Sequence, residues 1–471
     1  MIYRISGKSG KYALVIVLLS YSTCCLLFGG AGREGLFAHG VLQAIAGIGM
    51  AAMIATWPKN RAIKPYRTPL FVLIVVGLLG IIQIIPLPSS VWPLLPGRSV
   101  FVEGFASLNI DLPSLPISLD REATIATIGY TLIPIFTLLL CVRIGLRVLI
   151  KVIPPAFCSL AFLSTCIGGA QLINGQGSNL YFYEFTSRGL PVGFFSNVNH
   201  QATLLLMSLP FWTFIVSKLN ANWRGEDGII AVFVVVITGF GFTILGVLAT
   251  GSIAGYALFF MTSSLIFMAF RSHSTARGFK SVTLFLIAFS ILSVAILAVS
   301  PVAENLGLDL WRDSGVSRFE IWEATFDAIG EHWLFGTGLG TYESAIPMYE
   351  DPSTVTSVFV AKAHNEFLQV FLECGLVGLL LLILAIGWFA LRTISLFNSA
   401  TSREVNYLQK CAGIALVVVL LHSIVDYPAR TPAIACLMSI CVAIFAGEMP
   451  RRNPSTRKVE QSLDNDKRLV L

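Results

Sequence analysis

The sequence predicts an all-α integral membrane protein: about twelve transmembrane helices and one large outward loop carrying an amphipathic helix. Three observations lead there. The 471 residues are 55% hydrophobic and only 12% charged, against about 25% charged in an ordinary soluble domain. The apolar residues gather into twelve runs, at 12–28, 36–57, 69–85, 123–142, 148–173, 199–217, 229–249, 252–270, 281–300, 366–391, 408–426 and 431–447. Each is near the ~20 residues a bilayer requires. Basic residues alternate between dense and sparse in the segments joining these runs, as the positive-inside rule demands.

Along the chain, the first run is followed at once by Arg33-Glu34 and has no small-residue cleavage site, so it reads as a span and not a signal peptide. The runs 229–249 and 252–270 are parted only by Thr250-Gly251, a tight hairpin or one broken helix. With the N-terminus in the cytoplasm, 24 of the 32 Lys and Arg fall in cytoplasmic segments. The outward side keeps Arg33, Arg98, Arg121, Arg188, Arg312, Arg318, Lys362 and Arg430. Both termini are then cytoplasmic, and the loops 86–122, 174–198 and 301–365 face outward. Residues 1–449 form the membrane domain; 450–471 form a basic, disordered tail whose Asp464-Asn465-Asp466 lies on the wrong side to serve an outward site. The nine cysteines lie in or beside apolar runs without metal-type spacing, which favours packing over zinc or disulfides. The net charge of +6 follows from this topology and calls for no nucleic acid.

If the chain carries out chemistry, the loop 301–365 and its re-entry into the membrane are where the sequence predicts it. Ser317 and Glu320 form an S-x-x-E capping box, which puts Arg318 in the first turn of a helix. Phe319, Trp322, Phe326, Ile329 and Trp333 recur at helical spacing and make one apolar stripe, suited to the membrane or to other helices; Glu323, Asp327 and Glu331 lie opposite. An arginine at a helix start with no acid at i+3 or i+4 suits an anion, although a headgroup anchor or a salt bridge to Asp313 would explain it as well. His364 stands where the loop enters the tenth span. Its pKa range suits a proton acceptor, and any carboxylate that orients it must come from another element; a plain capping role is the alternative. Of the other histidines, His39 and His422 lie in spans, His200 at a span mouth, His273 in the cytoplasm and His332 in the amphipathic helix.

Glu373, inside the tenth span, and His422, Asp426 and Arg430, one turn apart at the end of the eleventh, are costly in a membrane. They read either as a structural hydrogen-bonded staple or as the polar wall of an outer cavity. Gly336, Gly338 and Gly340 follow no strand, so they make a tight turn and not a nucleotide loop. Arg188, Asn197, Asn199 and His200 end the loop 174–198, where they can bind sugar hydroxyls or cap the next span.

Several of these segments together resemble the O-antigen ligase and polymerase superfamily of bacterial membrane glycosyltransferases. They are S-R-F-E-I-W with W-L-F-G-T-G-L-G, then A-H-N-E-F-L-Q-V-F-L-E-C-G-L-V-G, supported by Gln83–Pro88, Trp92, Leu95–Arg98, Gly193–Asn199 and His422–Arg430, in order over about 80–447. The strongest part runs over 199–430. One position departs: where many members read Ser-Arg after the tight hairpin, this chain has Ser252-Ile253.

The resemblance implies a type C glycosyltransferase-like fold and a multi-pass protein of the bacterial inner membrane. The implied partners are a donor glycan on undecaprenyl diphosphate and an acceptor, either lipid A–core (ligase) or a growing polysaccharide (polymerase). No cofactor is implied, and the diphosphate leaving group makes metal-independent, inverting transfer the expected chemistry. His364 and Arg318 are the implied catalytic pair. Arg188, Asn199, Lys362 and Arg430 are expected at the diphosphate or glycan, with Glu373, His422 and Asp426 as supporting wall. A protein oligosaccharyltransferase is a third option that no extra domain supports. From another class, a transporter or flippase would show internal repeats and midplane binding residues, and neither is evident.

Overall fold

The computed structural model describes residues 8–32, 36–58, 63–222, 226–270, 318–352, 360–398 and 403–448. The expected span at 281–300, Ser317, Asp313, His273 and the tail 450–471 lie outside the described residues. Among the described residues the protein is all helical, with a single isolated bridge pairing Leu87 and Leu115 across the loop after the third span.

Fifteen α-helices are described: α1 (Lys8–Phe28), α2 (Phe37–Ala55), α3 (Arg67–Gln83), α4 (Ser99–Ser107), α5 (Arg121–Ile144), α6 (Leu146–Asn174), α7 (Val198–Asn222), α8 (Glu226–Val235), α9 (Phe242–Ala249), α10 (Ile253–Phe270), α11 (Arg318–His332), α12 (Tyr342–Ala345), α13 (Glu366–Phe397), α14 (Arg403–His422) and α15 (Pro432–Ala446). Nine of the described helices are long and apolar enough to cross a membrane, α8 and α9 counting as one through a π-helical turn, Val236–Gly241. Ile253–Ala269 and Pro432–Ala446 are apolar but shorter. The expected spans therefore become nine full-length and two shorter helices in the described residues.

Local chemistry sets the boundaries. Asp120 accepts from Ala123 N at 2.9 Å and caps α5, which ends at Gly145, a φ of +91° that only glycine adopts without strain. Pro134, Pro154, Pro155 and Pro210 sit inside α5, α6 and α7, where neighbouring helices can satisfy the freed carbonyls. Packing centres on two groups. α5 contacts α1, α2, α3, α6 and α15, while α7 and α14 pair with each other and are mostly buried.

α13 is the longest helix and is broken at Gly375, whose backbone (φ +59°, ψ −150°) is not helical. The glycine turn fills that break. Thr337 N donates to Leu372 O at 2.9 Å, Gly338 N to Glu373 O at 3.1 Å, and Leu376 N to Leu334 O at 3.2 Å. A Cβ on Gly336 would come 2.4 Å from Glu373 O, and one on Gly375 2.5 Å from Leu334 O. Two backbones touch here, and the turn supplies the donors that the broken helix lacks.

α11 packs on α13 through Ile321, Ala324, Thr325, Ala328 and Ile329. Of the two faces open to the aromatic stripe, the helix-packed one is not taken by most of it: Phe319, Phe326 and Trp333 are exposed, free to face the membrane, and Trp322 is half-buried. The small residues Ala324 and Ala328 let the helices approach closely, so they, not the aromatics, take the packed face.

Candidate active site

The site is assembled from three short connections. The first is the turn before α13. His364 has a φ of +49°, a left-handed conformation that is rare for a side chain with a Cβ. Asn365 then caps α13, accepting from Phe367 N at 3.0 Å and Leu368 N at 3.1 Å. The strained residue is held by what surrounds it. Trp322 Nε1 donates to Ala363 O at 3.0 Å, tying α11 to the turn, and Ala363 N donates to Gln369 Oε1 at 3.2 Å.

The second connection, between α14 and α15, is stitched to the first. Glu366 N donates to Ser423 O at 2.9 Å; Ser423 Oγ and Ala429 N donate to the Glu366 carboxylate at 2.7 and 2.8 Å. This brings Asp426 under His364, with Oδ1 lying 3.4 Å from Nδ1. That contact is slightly long for a full hydrogen bond. The His364 side chain is 30% exposed while Asp426 is fully buried, so the ring joins a buried charge to an accessible surface. Tyr427 sets its ring edgewise to both His364 and His200, at centroid distances of 5.0 and 5.2 Å.

The third connection is the entry to α7 and α10. Asn199 donates through Nδ2 to Asp426 Oδ2, and its Oδ1 accepts from Ser252 Oγ at 2.7 Å. Tyr427 N donates to Asp426 Oδ1 at 2.9 Å. His200 lies within 3.9 Å of the same carboxylate. His422 Nδ1 is 2.7 Å from the hydroxyl of Thr203, which also lies 2.9 Å from the carbonyl of Asn199. That carbonyl can only accept, so His422 donates through Nδ1. Burial by itself would raise the pKa of Asp426; the adjacent His364, with His200 and His422, outweighs it and holds the carboxyl well below the usual range. Asp426 is therefore ionised at neutral pH.

Arg318 opens α11 and is exposed. Its charge lies within electrostatic reach of Tyr427, as the weakest of the influences on that hydroxyl. Lys362 is buried two residues before His364. Arg430 and Glu373, by contrast, hold each other in a bidentate pair at 3.2 and 3.1 Å, with Gln369 Nε2 on Glu373 Oε1 at 2.8 Å. Arg430 thus spends its fork on Glu373. Arg188 is exposed and kept within its own loop, on Gln176 O at 3.3 Å and over the Tyr181 ring at 5.4 Å. Ile253 begins α10 and is exposed. His332 is a scaffold residue. Its ring occupies the space that a Cβ on Gly97 would need, it pairs with Tyr349 at 2.9 Å, and burial pushes its pKa down to about 4.

Four contributors lie within the motif segments quoted above but were given no role in the site: Gln83, Trp322, Glu366 and Gln369. Gln83 is fully buried, donates to Glu373 O at 2.9 Å and Phe335 O at 3.3 Å, and accepts from Leu339 N at 3.0 Å. It clamps the glycine turn to the break in α13. The signal was present, since an amide inside an apolar run must find partners. Among the described residues no group of three or more His, Cys, Asp and Glu is arranged to hold a metal ion.

A segment of 95 residues is 34% identical to a protein of Thioalkalivibrio sulfidiphilus described as a probable peptidoglycan glycosyltransferase FtsW; it covers 20% of this chain. The chain spans only about a fifth (21%) of that relative's length. The family model for O-antigen ligase matches residues 227–383, a stretch that includes Arg318, the glycine turn, His364 and Glu373. This multi-pass membrane protein carries an O-antigen ligase family domain at residues 227–383.

Proposed function

We propose that the protein transfers a glycan from undecaprenyl diphosphate to an acceptor hydroxyl at the outer face of the bacterial inner membrane, with both chain termini in the cytoplasm. The observation that carries this reading is the pairing of a strained, part-exposed His364 with the buried, ionised Asp426, with the charge of Arg318 within electrostatic reach of Tyr427.

The chemistry follows from that arrangement. Asp426 draws the imidazole proton to Nδ1, which leaves the Nε2 lone pair as the base. Nε2 takes the proton of the acceptor hydroxyl as its oxygen bonds to the anomeric carbon. The bond from that carbon to the diphosphate oxygen breaks, and undecaprenyl diphosphate leaves as an anion with inversion at carbon. Arg318 holds the developing charge through its guanidinium fork and the free amides of the first turn of α11. Lys362 is a secondary candidate for the same anion, and Asn199 supports it by fixing Asp426. Arg188 remains a candidate for the glycan further out. Transfer needs no metal in this scheme, so chelation with EDTA should leave the rate unchanged.

The acceptor we favour is lipid A–core, with polymerisation of repeat units as the alternative. Deleting the gene and running the cell's lipopolysaccharide on a gel tests both. Loss of all capped core indicates a ligase; core bearing one repeat, or lost exopolysaccharide, indicates a polymerase. An unchanged profile, or full complementation by His364→Ala, would refute the assignment.

A further inference from the structure

α2 and α3 both pack along α5, yet they scarcely touch each other, and α2 scarcely touches α13. The gap between them is a cavity of about 650 Å³. Phe37, Val41 and Ala44, on one face of α2, line it and are themselves exposed, so it opens sideways to where hydrocarbon would lie. Leu73, Val76 and Val370 form the facing wall. The lining positions on α2 cover residues 36–44 and those on α5 residues 126–134. That is about 12 Å of depth at 1.5 Å per residue, within one leaflet of a core ~30 Å thick. A second cavity of about 370 Å³ shares Leu73, Tyr130 and Pro134 with the first and continues along α5.

Two features give this slot a polar end and a destination. His39 lines it, is 95% buried by its 5% exposure, and its Nε2 has no hydrogen-bond partner. An unpaired buried ring nitrogen is costly and calls for a hydroxyl or carbonyl. Gly32 also lines it, and a Cβ there would lie 2.8 Å from the Tyr427 ring and 3.8 Å from His200. The slot therefore ends against the wall of the catalytic cluster. Its polar rim suits no diphosphate: Glu366 and Glu373 stand there against one guanidinium, Arg430, which is already paired with Glu373.

We infer that this slot holds one acyl chain of the acceptor lipid, with His39 bonded to a hydroxyl or ester group near its head, so that the acceptor reaches His364 past Gly32 and Tyr427. This rests on the transferase reading above with lipid A–core as its acceptor. The test uses the full chain in nanodiscs, without donor, and a lipid A analogue bearing a diazirine in one acyl chain. After irradiation, labelled peptides should concentrate on residues 36–44 and 73–76. Ala44→Trp, which fills the slot from an exposed position, should cut that labelling about tenfold, equivalent to ~1.4 kcal/mol of binding. Ile48→Trp, one turn further along α2, exposed and outside the slot, should leave it unchanged. His39→Phe should weaken labelling less than Ala44→Trp does. Three results would overturn the inference: labels spread evenly over the lipid-facing helices, equal slot labelling by phosphatidylglycerol carrying the same diazirine chain, or displacement of the probe by excess undecaprenyl phosphate. If the slot labels as expected but the wild-type chain transfers no glycan, the slot stands and the transferase reading fails.

Discussion

Two polar clusters lie within a few residues of each other at the head of α13, and they are built on opposite principles. Around Glu373 and Arg430 the named groups answer one another. The guanidinium grips both carboxylate oxygens, Gln369 adds a third bond, and Gln83 ties down the Glu373 carbonyl. Around Asp426 the accounting is left open. One buried carboxylate faces three histidines, His200 and His364 approach without full hydrogen bonds, and His364 reaches the surface on a strained backbone. Satisfied groups hold a fold together; spare valence next to a pinned charge is what a reaction can use. Composition alone could not have told these clusters apart, because each consists of polar residues at span ends.

The sharpest way to break this contrast is to damage each cluster and read two quantities. His364→Ala should lower transfer by at least ~10²-fold, up to the ~10⁴ typical of a lost general base, while the melting temperature in detergent stays near wild type. Arg430→Ala should do the reverse. It strands a buried Glu373 and should cost about 3–5 kcal/mol of stability, with a Glu373→Leu/Arg430→Leu double variant recovering much of it. If His364→Ala melts early, or Arg430→Ala melts normally, the two roles have been exchanged.

Arg318→Lys comes next. It keeps the charge but loses the fork, so the apparent affinity for donor should fall by about tenfold or more, corresponding to one charge-assisted bond of ~1.5–3 kcal/mol. Unchanged donor affinity removes Arg318 from the diphosphate. Asp426→Asn should slow transfer and also change the pH dependence of stability. The folded pKa of Asp426 is depressed, so its stabilisation is present above the ordinary aspartate value of about 3.9 and is lost as pH falls through the lower folded value. Melting curves should show wild type ahead of the variant at neutral pH and the gap closing in strong acid; a constant gap would mean that the charge of Asp426 is not what matters. The smallest effect is expected of Trp322→Phe, which removes the bond to Ala363 O. It should cost about 0.5–1.5 kcal/mol and lower the transfer rate more than the donor affinity, because it loosens the turn that aims His364.

Particular residues show how far the sequence carried. The spans and the outward loop came from hydropathy and charge bias, which are local or additive signals; a capping pattern and a span mouth raised Arg318 and His364 as candidates, and only the family resemblance made them the expected catalytic pair. The aromatic stripe of α11 had two possible faces, the membrane or other helices, and only the structure chose between them: Phe319, Phe326 and Trp333 stay exposed, while Ala324 and Ala328, whose smallness lets α11 close on α13, take the packed face. Gln83 and Gln369 were legible only as costs, amides in apolar surroundings that had to have partners.

By itself, then, the sequence determined that this chain lives in a membrane and which loop re-enters it with an arginine and a histidine, because burial in lipid is priced residue by residue. Only the tertiary structure decided that Asp426, 62 residues beyond His364, is the acid beneath it, and that Arg430 belongs to Glu373. Those pairings depend on where the break at Gly375 and the connection from Ser423 to Ala429 bring separate helices together. Long-range approach of that kind leaves no periodic mark on the chain.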